Sequence, residues 1–319
     1  MIRNLSELLD DMNKLIILTG PTAVGKSKLS IELAQKIGGE IISADSMQVY
    51  KKMNIGTDKI MPEAMGGVPH HMIDILEPEE DFNVFVFKDM VNKIIPEIYS
   101  RGHVPIIVGG TGFYIQAVLY DIDFTETEGN DDSIRKELEE RAQKEGTEVL
   151  HRELSQVDPE SAKAIHANNI KRVIRALEYY KLTGNKISEH NETQHQKESE
   201  YDFRYFVLTD DRAYLYSRIE QRIDEMVEKG LVEEVRKLYE SGIPENATSM
   251  QGIGYRELIG YFKGEYDLER AIYLIKLNTR HFAKRQLTWF RRERDVIWID
   301  KQKFNRDDSL VLNEILNKI

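Results

Sequence analysis

Residues 20–27 read Gly-Pro-Thr-Ala-Val-Gly-Lys-Ser, the G-x-x-x-x-G-K-[ST] pattern of a phosphate loop without a mismatch. The chemistry this pattern serves is anion binding. Gly20 and Gly25 let the backbone fold back and aim N–H groups at a phosphate chain, with Pro21, Thr22, Ala23 and Val24 forming the span between them. Lys26 adds a positive charge on a long stem, and the Ser27 hydroxyl can hold Mg²⁺. The loop reads as lying between a strand over 14–19 and a helix over 28–37, whose N-terminus adds a positive dipole end. These residues define a site for a polyphosphate or pyrophosphate. They leave open whether that ligand donates a phosphoryl group or departs as pyrophosphate.

Two further stretches carry polar groups where strands should end. The strand over 40–44 runs into Asp45-Ser46-Met47-Gln48, which offers a carboxylate, a hydroxyl and an amide, or else an ordinary turn and helix cap. The strand over 104–108 runs into Gly109-Gly110-Thr111-Gly112. In an open parallel sheet, ligands bind beyond the carboxyl ends of the strands, so both stretches are expected on the rim that carries the glycine loop. A phosphoryl-transfer enzyme often ends such a strand with an Asp for Mg²⁺; Gly-Gly-Thr in that position weakens a kinase reading. The adjacent His70 and His71 suggest metal, but neighbouring side chains point different ways and no third His or Cys lies close.

The elements that must position these groups are those of an α/β protein. The expected fold is a parallel-sheet core of the phosphate-loop NTPase type with an α-helical insertion. Residues 1–120 and 201–319 form the core, and 121–200 are charged, helical and without a convincing strand. Within the insertion, helices are expected over 133–144, 148–154 and 162–182, and a polar linker over 187–200. In the first part of the core, 51–81 reads as loop, and 82–99 has helical apolar spacing interrupted at Pro96. In the second part, strand character returns over 205–209, a long helix or pair of helices follows over 212–239, and another opens at Gln251–Glu257. Helix 268–294 is strongly basic, with eight Lys or Arg from Arg270 to Arg294 against one acid, Glu293. Lys276, Arg280 and Lys284 are spaced to form a stripe, with His281, Phe282, Trp289 and Phe290 interleaved. RNA backbone and unstacked bases would reward such a surface. Lys171, Arg172 and Arg175 of the insertion serve equally as a solvated face or a phosphate-contacting one. The last strand is expected over 296–300.

Composition sets the outer limits. The chain has 319 residues, net charge −11 and no cysteine, which excludes disulfides and Cys-ligated zinc and suits a reducing cytoplasm. The acidic balance argues against a nucleic-acid partner unless the basic residues are gathered locally, as they are at 270–294. No apolar run approaches the ~20 residues of a membrane span. Residues 1–13 form an acidic, amphipathic lead-in without the features of a signal peptide.

Together these motifs resemble one family, the tRNA dimethylallyltransferases, also called tRNA isopentenylpyrophosphate transferases. The resemblance is carried by GPTAVGKS (20–27), SADSMQVY (43–50), GT-x-K (56–59), PHH-x-ID (69–74), VGGTGFY (108–114), R-x-IRALE (172–178), SRIEQR (217–222), QGIGYRE (251–257) and KRQLTWFR (284–291), in order along nearly the whole chain. It departs in a longer N-terminal extension and in lacking the zinc finger of some eukaryotic relatives. The resemblance implies transfer of a dimethylallyl group from dimethylallyl pyrophosphate to N6 of adenosine 37, beside the anticodon, with Mg²⁺ as cofactor. It implies Asp45 as general base, Thr22 as a hydroxyl near the reacting centre and Arg218 as the arginine that reaches the pyrophosphate. Residues 20–27 would bind the pyrophosphate, with Ser27 on the metal. Asp45, Ser46, Met47, Gln48, Thr111, Arg135, Lys171, Arg172, Arg175, Arg280 and Lys284 would contact the tRNA anticodon stem-loop. A monomeric cytoplasmic enzyme with no obligate protein partner is expected. The rival readings are a prenyltransferase of free adenine nucleotides, a phosphate-loop kinase and a non-catalytic RNA-binding protein. The insertion and basic helix argue against the first, the Gly-Gly-Thr strand end against the second, and the unexplained loop and Asp45 against the third.

Overall fold

The computed structural model describes residues 13–124 and 133–319, so the lead-in read over 1–13 lies outside it except for its last residue. The described residues form two compact units: the chain up to Val118 with Tyr201–Ile319, and Leu119–Glu200.

The strands of the first unit are β1 (Lys14–Thr19), β2 (Gly39–Ala44), β3 (His70–His71), β4 (Val104–Gly109), β5 (Asp202–Thr209) and β6 (Val296–Asp300). The central strands β1, β2 and β4 are buried on both faces, which suits a parallel sheet covered by helices on each side. All pair in parallel, in the order β3-β2-β4-β1-β5-β6. Thr19 and Ala44 both register with Gly109. The chains leaving β2, β4 and β1 therefore depart from one level on three neighbouring strands, each about 4.8 Å from the next.

Helices α1 (Lys26–Ile37), α2 (Val84–Ser100) and α3 (Gly112–Leu119) follow β1, β3 and β4. Leu29 and Leu33 of α1 pack with Leu18, Ile106 and Leu208 in the main core. α2 buries Phe87, Val91, Ile95 and Ile98 along one side and runs on through Pro96, so the expected interruption there is not found. The segment 51–81 has a short 3₁₀ turn at Pro62–Ala64, the two residues of β3 and a single β-bridge from Leu76 to Tyr50. It is pinned from within by Lys59, whose ammonium donates to the Tyr50 carbonyl (2.6 Å), Asn54 Oδ1 (3.1 Å) and Asp74 Oδ1 (2.5 Å).

The second unit is made of α4 (Ser133–Glu145), α5 (Thr147–Val157), α6 (Pro159–Ala164), α7 (Ile170–Thr183) and α8 (Ile187–Gln196) around Leu138, Leu150, Leu154, Val173 and Leu177. The helix expected over 162–182 is broken by residues 165–169, and most of the polar stretch expected to be a linker is helix α8. One buried carboxylate accounts for α8. Asp158 accepts from the Ser161 N–H (3.1 Å) and hydroxyl (2.7 Å), capping α6, and from the Ser188 N–H (3.0 Å) and hydroxyl (2.7 Å), fixing the first turn of α8. Side-chain capping of this kind leaves no apolar periodicity to read.

After β5 come α9 (Arg212–Glu228), α10 (Leu231–Glu240), α11 (Tyr255–Phe262), α12 (Leu268–Phe290) and, beyond β6, α13 (Asp308–Leu316). The segment over 212–239 is thus a pair of helices, parted at Gly230, whose φ is +100°.

Glu40, 1% exposed on β2, anchors the end of the sheet away from the glycine loop. Arg101 grips it through two N–H groups (2.8 Å each), with His71 Nε2 at 2.6 Å and His103 Nδ1 at 2.7 Å. His71 is therefore spent on a carboxylate, His70 Nδ1 lies 2.8 Å from the Val68 carbonyl, and neither belongs to a metal cluster among the described residues. Burial alone would raise the Glu40 pKa, but the hydrogen bonds from Arg101, His71 and His103 outweigh it and hold it at about 2, against an ordinary 4.5. A carboxylate with a depressed pKa stabilises the fold above its unfolded value, and that stability disappears as pH falls through the folded one. Glu40→Gln is expected to cost about 3 kcal/mol at neutral pH and to flatten the loss of stability between pH 4.5 and about 2. Urea unfolding of both proteins across that range checks it; equal stability at neutral pH would contradict it.

Candidate active site

The loop after β1 is shaped by its neighbours. A Cβ on Gly20 would lie 2.5 Å from the Leu208 carbonyl oxygen of β5, so only glycine lets the loop leave the sheet there. Ala23 (φ +65°) and Gly25 (φ +92°) then turn the chain left-handed, a bend that gathers successive N–H groups on its inner side. Helix α1 starts at Lys26 with no side chain capping its first turn, which leaves N–H groups available to an anion. From behind, Lys301, 7% exposed, donates to the Val24 carbonyl (3.2 Å) and to Asp308 Oδ1 (2.7 Å).

Three elements converge on the front of this loop. Lys26 Nζ donates to the loop's own carbonyls at Gly20 (2.9 Å) and Pro21 (2.8 Å). Burial of the ammonium, aided by the nearby Arg222 charge and opposed by Asp45 and Asp58, lowers its pKa from 10.5 to about 8. Arg222 of α9 donates to the Thr22 hydroxyl (2.5 Å) and to Asp58 Oδ2 (3.2 Å), and its buried Nε has no hydrogen-bond partner among the described residues. Gln286 of α12 accepts from the Thr22 N–H (2.9 Å) and donates to the Gly110 carbonyl (3.0 Å).

The acceptor side is built from the next strands. Asp45 Oδ1 accepts from the N–H groups of Met47 (2.9 Å) and Gln48 (3.4 Å), so one oxygen shapes the turn. The other accepts no hydrogen bond among the described residues. Capping and a functional carboxylate, the two readings of Asp45, are thus compatible. The Gln48 amide is engaged with the chain itself, accepting from Ser43 Oγ (3.2 Å) and donating to the carbonyls of Thr57 (3.2 Å) and Asp58 (3.4 Å). The backbone before Asp58 is held by Glu234 of α10, which accepts from the N–H groups of Asn54 (2.8 Å), Ile55 (2.7 Å) and Gly56 (3.0 Å) and from the Tyr255 hydroxyl (2.7 Å). The glycines after β4 serve close packing: a Cβ on Gly110 would lie 2.1 Å from Gln286 Nε2, and one on Gly112 would lie 2.2 Å from Trp289.

These groups surround one cavity of about 510 Å³. Thr22, Ala23, Gly25, Lys26 and Ser27 line one side, and Asp45, Ser46, Met47, Gln48 and Thr111 another. Gly20, Pro21 and Val24 shape the loop without lining the cavity. Ile223, Met226, Leu231, Ile253, Ile275 and Phe282 give it an apolar portion. Arg218 also lines it, but it is exposed and donates to Gln221 Oε1 (3.4 Å). The arginine in contact with the loop is Arg222, one turn further along α9. The sequence carries that signal as the second Arg of SRIEQR, and Gln286 stands inside KRQLTWFR. Asp58, Glu234 and Lys301 had no local signal, because each acts on a segment remote in the chain.

The basic stripe on α12 divides. Lys276 pairs with Asp224 (2.6 Å) and Arg280 with Glu220, so its first half faces α9 through two i, i+4 ladders of opposite charge. Lys284, Arg285, Arg291 and Arg292 are exposed, and Arg285 lines the cavity. In the second unit, Arg135 is gripped by Glu178 (2.7 and 3.1 Å), with Arg175 3.5 Å from the same carboxylate; Lys171 and Arg172 are exposed on α7.

The sheet and its loop put the chain in the class of parallel α/β proteins built on the phosphate-loop NTPase plan. A family model described as IPP transferase matches residues 48–293, and one described as isopentenyl transferase matches 13–75. A tRNA dimethylallyltransferase of Lachnoclostridium phytofermentans is 61% identical over 94% of this chain and 96% of its own. The solved tRNA isopentenylpyrophosphate transferase of Bacillus halodurans is 45% identical, with a TM-score of 0.71 over 96% of each chain. A solved eukaryotic dimethylallyltransferase acting on tRNA is 32% identical, with a TM-score of 0.78 over 90% of this chain and 74% of its own. The chain belongs to the tRNA dimethylallyltransferase family. Among the described residues, no helix is long and apolar enough to cross a membrane.

The Lys26 ammonium sets a pH dependence. An arriving anion stabilises its charged form, so affinity is greatest below the free protein's pKa of about 8 and weakens as pH rises through it. The ratio of inorganic pyrophosphate affinities, native over Lys26→Arg, is expected to fall up to tenfold per pH unit above 8, because arginine stays charged. Titration calorimetry on both proteins reads this and cancels the ligand's own ionisation; a constant ratio would contradict it.

Proposed function

We propose that this chain transfers the dimethylallyl group of dimethylallyl pyrophosphate to N6 of adenosine 37 in tRNA. The C1–O bond to pyrophosphate breaks, the N6–C1 bond forms, and N6 gives up one proton. The observation that carries the reading is the sharing of one cavity by an anion loop and, from an adjacent part of the sheet's rim, a carboxylate. The apolar portion suits a branched hydrocarbon, which a phosphoryl donor does not require.

The residues divide the work. The uncapped start of α1 and the loop N–H groups receive the pyrophosphate. Lys26 exchanges the Gly20 and Pro21 carbonyls for pyrophosphate oxygens, and the partnerless Arg222 Nε supplies a further donor. Charge accumulates on the leaving group as C–O cleavage proceeds, so fixed cations stabilise the transition state more than the ground state. Arg222 also holds the Thr22 hydroxyl beside the reacting centre, while Arg218 serves as a second, more exposed cation at the entrance. The adenine amine is a weak nucleophile because its lone pair is delocalised into the ring. Asp45 accepts a hydrogen bond from N6 and takes the proton as the new bond forms.

Mg²⁺ would fit beside the bound pyrophosphate, with the Ser27 hydroxyl the protein group that would hold it. The described residues contain no cluster of three acidic or histidine side chains to cage it. When bound, the ion neutralises leaving-group charge. Exposed Lys284 and Arg285 on α12, and Lys171, Arg172, Arg135 and Arg175 in the helical unit, would contact the anticodon stem-loop. Thr111, Ser46, Met47 and Gln48 line the acceptor side. A stacked base cannot reach a pyrophosphate held in the cavity, so the adenosine must be extruded. The reading is of a monomeric cytoplasmic enzyme with no obligate protein partner.

Labelled dimethylallyl pyrophosphate and Mg²⁺ are supplied with an anticodon stem-loop and, separately, with AMP. Label is expected on the stem-loop alone. Label on AMP would assign the chain to free-nucleotide prenylation, and label on neither would overturn the transfer reading. Asp45→Ala should slow transfer by roughly 10²–10⁴-fold with RNA binding retained; near-native turnover would remove Asp45 as the base.

A further inference from the structure

Gln286 is 5% exposed, and both ends of its carboxamide are used. Oε1 accepts from the Thr22 N–H (2.9 Å) and Nε2 donates to the Gly110 carbonyl (3.0 Å). The fit is close, since a Cβ on Gly110 would come within 2.1 Å of Nε2. Its two partners belong to opposite halves of the site. Thr22 lies in the anion loop and has its hydroxyl held by Arg222. Gly110 precedes Thr111, whose N–H bonds the Ala44 carbonyl (3.3 Å), the residue before Asp45. One side chain from α12 therefore links the segment expected to hold the leaving group to the rim expected to hold the acceptor.

We infer that Gln286 is a positioning residue that sets the distance between the pyrophosphate-bearing loop and the Asp45 rim, so that the reacting carbon and amine meet in line. The inference rests on the transfer reaction proposed above. The partners demand an amide: one position must accept and the other must donate. Methionine has the length but neither function. A glutamate carboxylate can accept from Thr22 but sets a second acceptor against the Gly110 carbonyl; once protonated, it can again accept at one oxygen and donate at the other. A misplacement of about 1 Å between reacting groups can cost about 10²-fold in rate, and such a loss falls on turnover more than on the binding of either substrate.

The test is steady-state transfer from dimethylallyl pyrophosphate to an anticodon stem-loop, with Mg²⁺, for the native protein, Gln286→Met and Gln286→Glu. The Met variant is expected to lose about 10²-fold in kcat, with KM for both substrates within about threefold. The Glu variant keeps an acceptor for the Thr22 N–H and loses the donor to the Gly110 carbonyl, so it is expected to lose at least about tenfold in kcat at neutral pH, again with KM for both substrates within about threefold. The two variants are read independently, so the Glu variant carries the test if the Met variant does not fold. Native kcat in either folded variant overturns the inference, as does a loss that falls on KM rather than on kcat. An inactive native protein would instead overturn the underlying transfer reading.

Discussion

The site depends on a loop whose shape is imposed from outside. Gly20 leaves the sheet against the Leu208 carbonyl, and Ala23 and Gly25 hold left-handed backbone. Such a conformation persists only where its surroundings over-determine it. Here the constraints come from four directions: β5 beside Gly20, Lys301 behind Val24, Arg222 on the Thr22 hydroxyl and Gln286 on the Thr22 N–H. The same close packing explains the glycines after β4. They let α12 approach the rim and bring Gln286 and Trp289 against it.

Strand β2 illustrates how one element serves stability at one end and chemistry at the other. Near its start, Glu40 is buried under an arginine and two histidines, a fully partnered charge in a place no substrate needs to reach. Beyond its end, Asp45 commits one oxygen to its own turn and leaves the other toward the cavity. The carboxylates differ in whether their partners saturate them. The cations of the loop follow the same logic in reverse. Lys26 rests on backbone carbonyls and Arg222 retains an unsatisfied Nε, so both have capacity that an anion could take up.

The basic helix shows where charge counting in sequence reaches its end. Lys276 and Arg280 belong to the same run as Lys284 and Arg291, yet the first pair is matched by Asp224 and Glu220 on α9. Their first consequence is helix–helix packing. Lys284, Arg285, Arg291 and Arg292, later in the run, keep exposed charge, and of these Arg285 lines the cavity. The acidic partners lie more than fifty residues away, where no local pattern points to them.

What the sequence determined by itself was the local backbone and its chemistry. The octet 20–27, the apolar runs of the main strands and the amphipathic helices are written in short-range periodicity and residue type, because a tight anion-binding turn and a half-buried helix each tolerate few alternatives. The family could be read for the same reason, from motifs in order. What only the tertiary structure decided was which long side chains meet. Arg222 rather than Arg218 touches the loop because α9 presents that turn to it. Gln286, Glu234 and Lys301 act on backbone groups far from them in the chain. Helix α8 forms in a polar stretch because Asp158, thirty residues earlier, caps its first turn. Contacts of this kind are set by how helices pack across a sheet, and that information is distributed over the whole fold rather than held in any one segment.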